Sequence, residues 1–166
     1  MSVEIRTIEV QDRDWVRDFL LQEFGSTLVV SRGRLHHADQ IPGLIGLFDG
    51  IPSALLTYDI AGDECEVVSL HSARPGRGIG MMLLERVAEE ARARACRRVW
   101  LITTNDNAAA IEFYRKRGWT LVAIHEGAIE ESRRIKPQIP LVGRSGVPIR
   151  DEIEFELKLD AVARNT

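Results

Sequence analysis

Three glycines in five positions, Gly76, Gly78 and Gly80, stand directly ahead of an apolar run with helical spacing. Glycine this dense at a strand-to-helix junction lets a ligand approach the backbone. Consecutive amide N–H groups at a helix N-terminus then make a ready anion site. The spacing selects among anions. A dinucleotide loop, G-x-G-x-x-G, needs its third glycine at position 81, which is Met81; the glycine comes one residue early, at Gly80. The acidic residue such a loop requires roughly 20 positions further on is also missing, because 99–104 is apolar and then threonine. A triphosphate loop needs Lys and Ser/Thr after its glycines, and neither follows. A nicotinamide oxidoreductase and a nucleotide hydrolase are therefore disfavoured. An anion cradle built from the amides of Gly76, Arg77, Gly78, Ile79, Gly80 and Met81 stays open, as does a tight turn with no ligand.

Other reactive side chains are sparse. Glu64 and Glu66 are two apart on one predicted strand and so project from the same face. They read either as a solvated pair or as a candidate base. His71, at the end of that strand, has a side chain that titrates near pH 6.5 in general. Cys65 and Cys96 lie in no CxxC or Cys/His ligand spacing. They read as reduced intracellular thiols, with no metal site and no cysteine nucleophile.

The elements that position these residues follow from periodicity. Residues 3–8 alternate as a strand, and Trp15, Val16, Phe19, Leu20 and Phe24 recur at helical spacing before Gly25. Residues 31–42 are polar and read as a loop or short helix. Two apolar runs flank Asp49-Gly50 as a hairpin. A strand over 64–71 leads through the glycine segment into a helix carrying Ile79, Leu83, Val87 and Ala91. Residues 99–103 read as a buried parallel strand. Asn107 can cap a helix over 108–117, with Gly118 at its left-handed end. Strands are expected over 119–125 and 151–159, the latter half-buried and antiparallel. Between them, 126–150 reads as a long loop holding Arg133, Arg134, Lys136, Arg144 and Arg150.

The whole is one mixed α/β domain over 1–166. At 166 residues and 45% hydrophobic content the chain can bury a core without staples. A net charge of −3 gives no global reason to bind nucleic acid or an anionic membrane. The opening MSVEIRTIEV has no apolar signal core, and no apolar run approaches the roughly 18 residues of a membrane span. The expected location is cytoplasmic.

A second motif gives the glycine loop its partner. Asn107-Ala-Ala-Ala-Ile111-Glu-Phe113-Tyr114-Arg-Lys-Arg-Gly118-Trp119 lies just past the next strand. Together the two segments resemble the GNAT acetyltransferase superfamily, whose cofactor loop reads Q/R-x-x-G-x-G/A and whose second motif reads N-x-A-x-x-F/Y-Y-x-x-x-G-F. The loop aligns as Pro75-Gly76-Arg77-Gly78-Ile79-Gly80, and the order of elements matches across nearly the whole chain. One position departs: Pro75 stands at the Q/R site and has no N–H to donate.

The resemblance implies a single-domain GNAT acyl-CoA N-acyltransferase fold, with a mixed central sheet and flanking helices. It implies acetyl-CoA as cosubstrate, no metal, and direct transfer through a tetrahedral intermediate to a primary amine of a small molecule or peptide. Backbone groups of Val68, Ser69 and Leu70 would pair with the pantetheine arm, and Gly76, Arg77, Gly78, Ile79, Gly80 and Met81 would hold the pyrophosphate. Asn107 would touch the cofactor arm, cap the helix, or do both. Tyr114 would protonate the departing thiolate, and Glu64 or Glu66, with His71 or a water relay as alternatives, would take the amine's proton. The 126–150 segment would lie at the acceptor, as a basic lid for an anionic substrate, a solvated surface, or the contact of a homodimer. The alternative from another class is a GNAT-like acyl-CoA-binding or sensing module without turnover.

Overall fold

The computed structural model describes residues 2–160; residue 1 and residues 161–166 of the expected 1–166 domain lie outside the described residues. A seven-stranded sheet runs in the order β1-β4-β5-β6-β7-β9-β8. Its strands are β1 (Val3–Thr7), β4 (Gly43–Phe48), β5 (Ile51–Ala61), β6 (Glu64–Ser72), β7 (Arg98–Thr104), β8 (Thr120–His125) and β9 (Glu152–Lys158). Helix α2 (Ile79–Ala93) links β6 to β7, and α3 (Ala108–Lys116) links β7 to β8. Only β6 and β7 pair in parallel; the other neighbours in the sheet are antiparallel.

Alternation along β4 and β5 divides the core between the two faces of the sheet. Leu44, Phe48, Leu56 and Tyr58 meet Leu83, Leu84 and Val87 of α2 on one side. Ile45, Leu47 and Leu55 meet Val16, Phe19 and Leu20 of α1 (Arg13–Phe24) on the other. A 3-10 turn at Val10–Asp12 leads into α1, and Arg6 fixes it to β1 through two bonds to Asp12, at 2.6 and 2.9 Å.

Three expectations are corrected. Residues 31–42 hold no helix, and the loop is confined to the turn at 32–33 and to 38–42. They contribute to a separate hairpin of β2 (Leu28–Ser31) and β3 (Arg34–His37), turning at Arg32-Gly33 with both residues at positive φ. That two-residue turn suits a twisted hairpin, but arginine at its first corner gives no sequence signal. Within 126–150 lies α4 (Ala128–Ile135), which buries Ile129 and Ser132; its remaining charged residues mask so narrow an apolar stripe. The last strand is not half-exposed. Its polar face is covered too: Arg32 and Ser132 of α4 close on Glu152 and Arg98 on Glu156, and both carboxylates are buried.

The sheet admits α2 at one tight point. A Cβ on Gly46 would sit 2.8 Å from Ile79 Cδ1, 2.9 Å from its Cγ1 and 3.1 Å from Ala54 Cβ. Ile79 opens α2, so glycine at 46 sets how closely that helix N-terminus approaches the sheet. We expect Gly46→Ala to lower unfolding free energy in urea by about 1–3 kcal/mol, and adding Ile79→Val to recover part of the loss. A Gly46→Ala protein as stable as the parent would refute this reading.

Candidate active site

Strands β6 and β7 run paired only from Glu64↔Arg98 to Val67↔Leu101, and then part. At the same place the β5–β6 register slips: Thr57 pairs Ser69 while Tyr58 pairs Val67, which leaves Val68 as a bulge. Past Val67 the β6 backbone therefore has a partner strand on its β5 side alone. The gap opens into a cavity of about 370 Å³, with Val68, Ser69 and Leu70 on one wall, Leu101 to Thr104 on the other, and Asn107, Ala110 and Tyr114 of the α3 segment alongside. It shares Leu70, Ala110 and Tyr114 with a cavity of about 600 Å³ at the glycine loop. It shares Val67, Val68, Ile102 and Thr103 with an inner cavity of about 240 Å³. One cleft thus runs from the loop, through the splayed strands, to the opposite face of the sheet.

The loop end has the form of an anion cradle. Gly76 and Gly78 take φ of 80° and 76°, and a Cβ on either would meet nothing within 4 Å. Glycine is needed there for its backbone, and the space in front is open. Gly78 is the N-cap of α2 and offers no side chain, so the first-turn amides face that space uncapped. Gly76, Arg77, Gly78, Ile79, Gly80 and Met81 all line this end of the cleft, as does Pro75. Arg74 lies over the Phe48 ring at 5.4 Å, and Arg117 lies over Phe113 at 3.8 Å.

Asn107 caps α3 by accepting from the Ala110 N–H at 3.1 Å. Its amide NH2 is left for the cleft that it lines. Tyr114 is 8% exposed, among Phe113, Trp119 and Phe155. Burial pushes its hydroxyl well above the ordinary tyrosine range, so it stays protonated.

The two candidate carboxylates part company. Glu64 sits at the closed end of the β6–β7 pairing, where Arg97 and Arg98 both bond it. It does not line the cleft. Glu66, only 3% exposed, lines the inner cavity beside Val67 and Val68. His71 lies at the loop end, within 2.9 Å of Glu23 and against the Phe19 and Phe24 rings. Two further histidines stand beside carboxylates. His36 is buried with Nε2 3.2 Å from Glu66, and His125 is 2.9 Å from Glu154. Of the basic residues in 126–150, only Lys136 lines the cleft; it donates to the Leu28 carbonyl at 2.8 Å, and burial lowers its pKa. Arg133 is bound to the carbonyls of Ile139, Pro140 and Ile149.

Sequence reasoning missed Ser31 and Glu152, which also line the inner cavity. No local pattern could have found them, since β2 and β9 meet only through the tertiary fold. Cys65 and Cys96 are both buried and unpaired, and burial pushes the Cys65 thiol up to about 12. Among the described residues no three His, Cys, Asp or Glu are grouped to hold a metal ion, and no helix is long and apolar enough to cross a membrane.

Residues 8–119 match the acetyltransferase (GNAT) family model. A Bacillus subtilis protein described as uncharacterized protein YdhI is 40% identical over 144 residues, covering 86% of this chain and 90% of that one. Among solved structures, an IAA acetyltransferase from Bacillus cereus aligns with a TM-score of 0.74 at 20% identity, covering 95% of this chain and all of that one. A structure of yncA, a putative acetyltransferase from Salmonella typhimurium with its cofactor acetyl-CoA, aligns with a TM-score of 0.68 at 19% identity, covering 100% and 99%.

The acidic face of β9 predicts an acid sensitivity. Burial alone would raise Glu154, but its contacts with His125 and Arg98 outweigh burial and hold the carboxyl below its ordinary 4.5. A carboxyl lowered by folding stabilises the protein above its unfolded pKa and loses that contribution as pH falls through the folded value. Urea titrations should therefore show stability dropping below about pH 4.5, and Glu154→Gln should drop less steeply. Equal slopes in parent and variant would remove Glu154 from that account.

Proposed function

Because the chain belongs to the GNAT acetyltransferase family, we propose that it transfers the acetyl group of acetyl-CoA directly to the primary amine of a small molecule or peptide. The observation that carries this reading is the single cleft joining the uncapped glycine loop, the splayed strands and a buried carboxylate. Bound acetyl-CoA supplies an activated acetyl thioester; everything else is asked of the chain.

The residues fit such a ligand. Amides of Gly76, Arg77, Gly78, Ile79, Gly80 and Met81 at an uncapped helix N-terminus suit a pyrophosphate, and Arg77 and Arg117 line the same cavity. Pro75 contributes no donor there. Val68, Ser69 and Leu70 offer an unpaired strand edge to an amide-bearing arm, as an added β-strand would use it. Ser69 does this through its backbone, because its hydroxyl is bonded to that of Thr57. The Asn107 amide NH2 offers a further donor.

Tyr114 holds the proton that the departing thiolate requires. Burial makes the phenol a weaker acid, yet the same low dielectric raises the proton affinity of a thiolate placed beside it, so donor and acceptor stay matched. Glu66 takes the proton of the incoming ammonium, directly or through water, from the inner cavity. Glu64 is assigned to the fold by its two arginine partners, and His71 to the loop end with Glu23. We place the reaction in the cytoplasm, where buried unpaired cysteines stay reduced.

Release of CoA thiol in the presence of a panel of amines tests the assignment. Tyr114→Phe should lower kcat by about 100-fold while calorimetry returns the parent's acetyl-CoA affinity. Unchanged turnover would remove Tyr114 from proton transfer. Acetyl-CoA binding with no turnover on any amine would instead assign the chain to acyl-CoA binding.

A further inference from the structure

We infer that the inner end of the cleft is an ammonium pocket for a primary amine carried on an apolar chain or ring, with no carboxylate next to the nitrogen; this rests on the acetyl-transfer reading above. The chemistry begins with buried polar groups around the inner cavity that the fold leaves short of partners. Ser31, 3% exposed, lines the inner cavity, and its hydroxyl has no hydrogen-bond partner. Glu66 lines the same cavity, with His36 Nε2 at 3.2 Å from its carboxylate. That His36 nitrogen is itself buried and without a hydrogen bond. Buried polar groups are normally satisfied, and a buried carboxylate calls for a compensating charge. An alkylammonium brings a positive charge and three N–H donors, enough to satisfy Glu66 and Ser31 together.

The remaining charges argue against a carboxylate on the acceptor. The charged residues lining the inner cavity are both acids, Glu66 and Glu152. Glu152, 1% exposed, is already engaged by Arg32 at 3.0 Å and by Ser132. Lys136, in the outer part of the cleft, is committed to the Leu28 carbonyl. A carboxylate beside the reacting nitrogen would face the like charges of Glu66 and Glu152 in the inner cavity, which Lys136 does not line. The other walls are apolar: Val29, Val30, Ile102 and Ile129 inside, Phe24 and Ile139 further out. They suit methylenes or an aromatic ring.

The test compares 2-phenylethylamine, phenylalanine and 1,4-diaminobutane in a CoA-release assay, with acetyl-CoA affinity followed by calorimetry. Phenylethylamine should exceed phenylalanine in kcat/KM by about 100-fold or more, and should also exceed the diamine. Ser31→Ala should raise the KM for phenylethylamine by about 10-fold with kcat and acetyl-CoA affinity little changed, and Ser31→Thr should restore it. Removing an unpartnered hydroxyl should leave the unfolding temperature the same or higher, whereas a structural serine would lower it. Equal or better use of phenylalanine or of the diamine overturns this inference and leaves acetyl transfer standing. Acetyl-CoA binding without turnover on any amine overturns both.

Discussion

The parting of β6 and β7 after Val67↔Leu101 is the constraint on which this structure turns. A strand edge inside a sheet exposes N–H and C=O groups that a folded protein ordinarily pairs. Here the Val68 bulge and the lost register leave the edge of β6 facing a cleft. The neighbouring elements keep it open. α3 places Tyr114 along the gap, braced on Trp119 and Phe155, and β9 takes the far side of β7 so that β7 stays fully paired there. An unpaired strand edge aimed at a glycine-capped helix is a site for an extended, amide-bearing anion.

The two faces of the sheet divide the labour. On the α2 side the packing is apolar from Leu44 to Phe155. On the other, alternation brings Glu66, Glu154, Glu156 and Glu152 to one surface. Arg98 holds Glu64, Glu154 and Glu156 at 2.9 to 3.0 Å and lies over Trp100. Arg32 holds Glu152, and His125 adds to Glu154. Glu66 and Glu152 line the inner cavity, and of the two Glu66 has no arginine partner among the described ion pairs. Its isolation follows from register: two residues earlier the β6 side chain meets Arg98, while at Glu66 the paired β7 residue is Trp100.

Local chemistry made the cofactor end legible. The glycine loop, the Asn107 cap and the Tyr114 position all sit within a contiguous segment whose helix signals are short-range. Period-two alternation placed Glu64 and Glu66 on one face but could not separate them, since the arginines that claim Glu64 come from β7. The β2–β3 hairpin turned on Arg32-Gly33, outside the usual turn chemistry. The proximity of His36 to Glu66 was hidden for the same reason: without the hairpin nothing brings position 36 to position 66. Helix α4 has a narrow stripe around Ile129, too faint beside its acids and arginines.

The acceptor end is built from parts far apart in the chain. Glu152 of β9 binds Arg32 across 120 residues and accepts from Ser132 of α4, so three distant elements meet at one buried carboxylate. Each such contact closes a long loop before it contributes, whereas β6, α2, β7 and α3 follow one another directly. The family match takes in the hairpin as well and ends at residue 119, before α4 and β9 begin. The local half can therefore keep its cofactor geometry while the distant half is altered. In the proposed reaction, selectivity for the acceptor then depends on how the hairpin, α4 and β9 meet around Glu66.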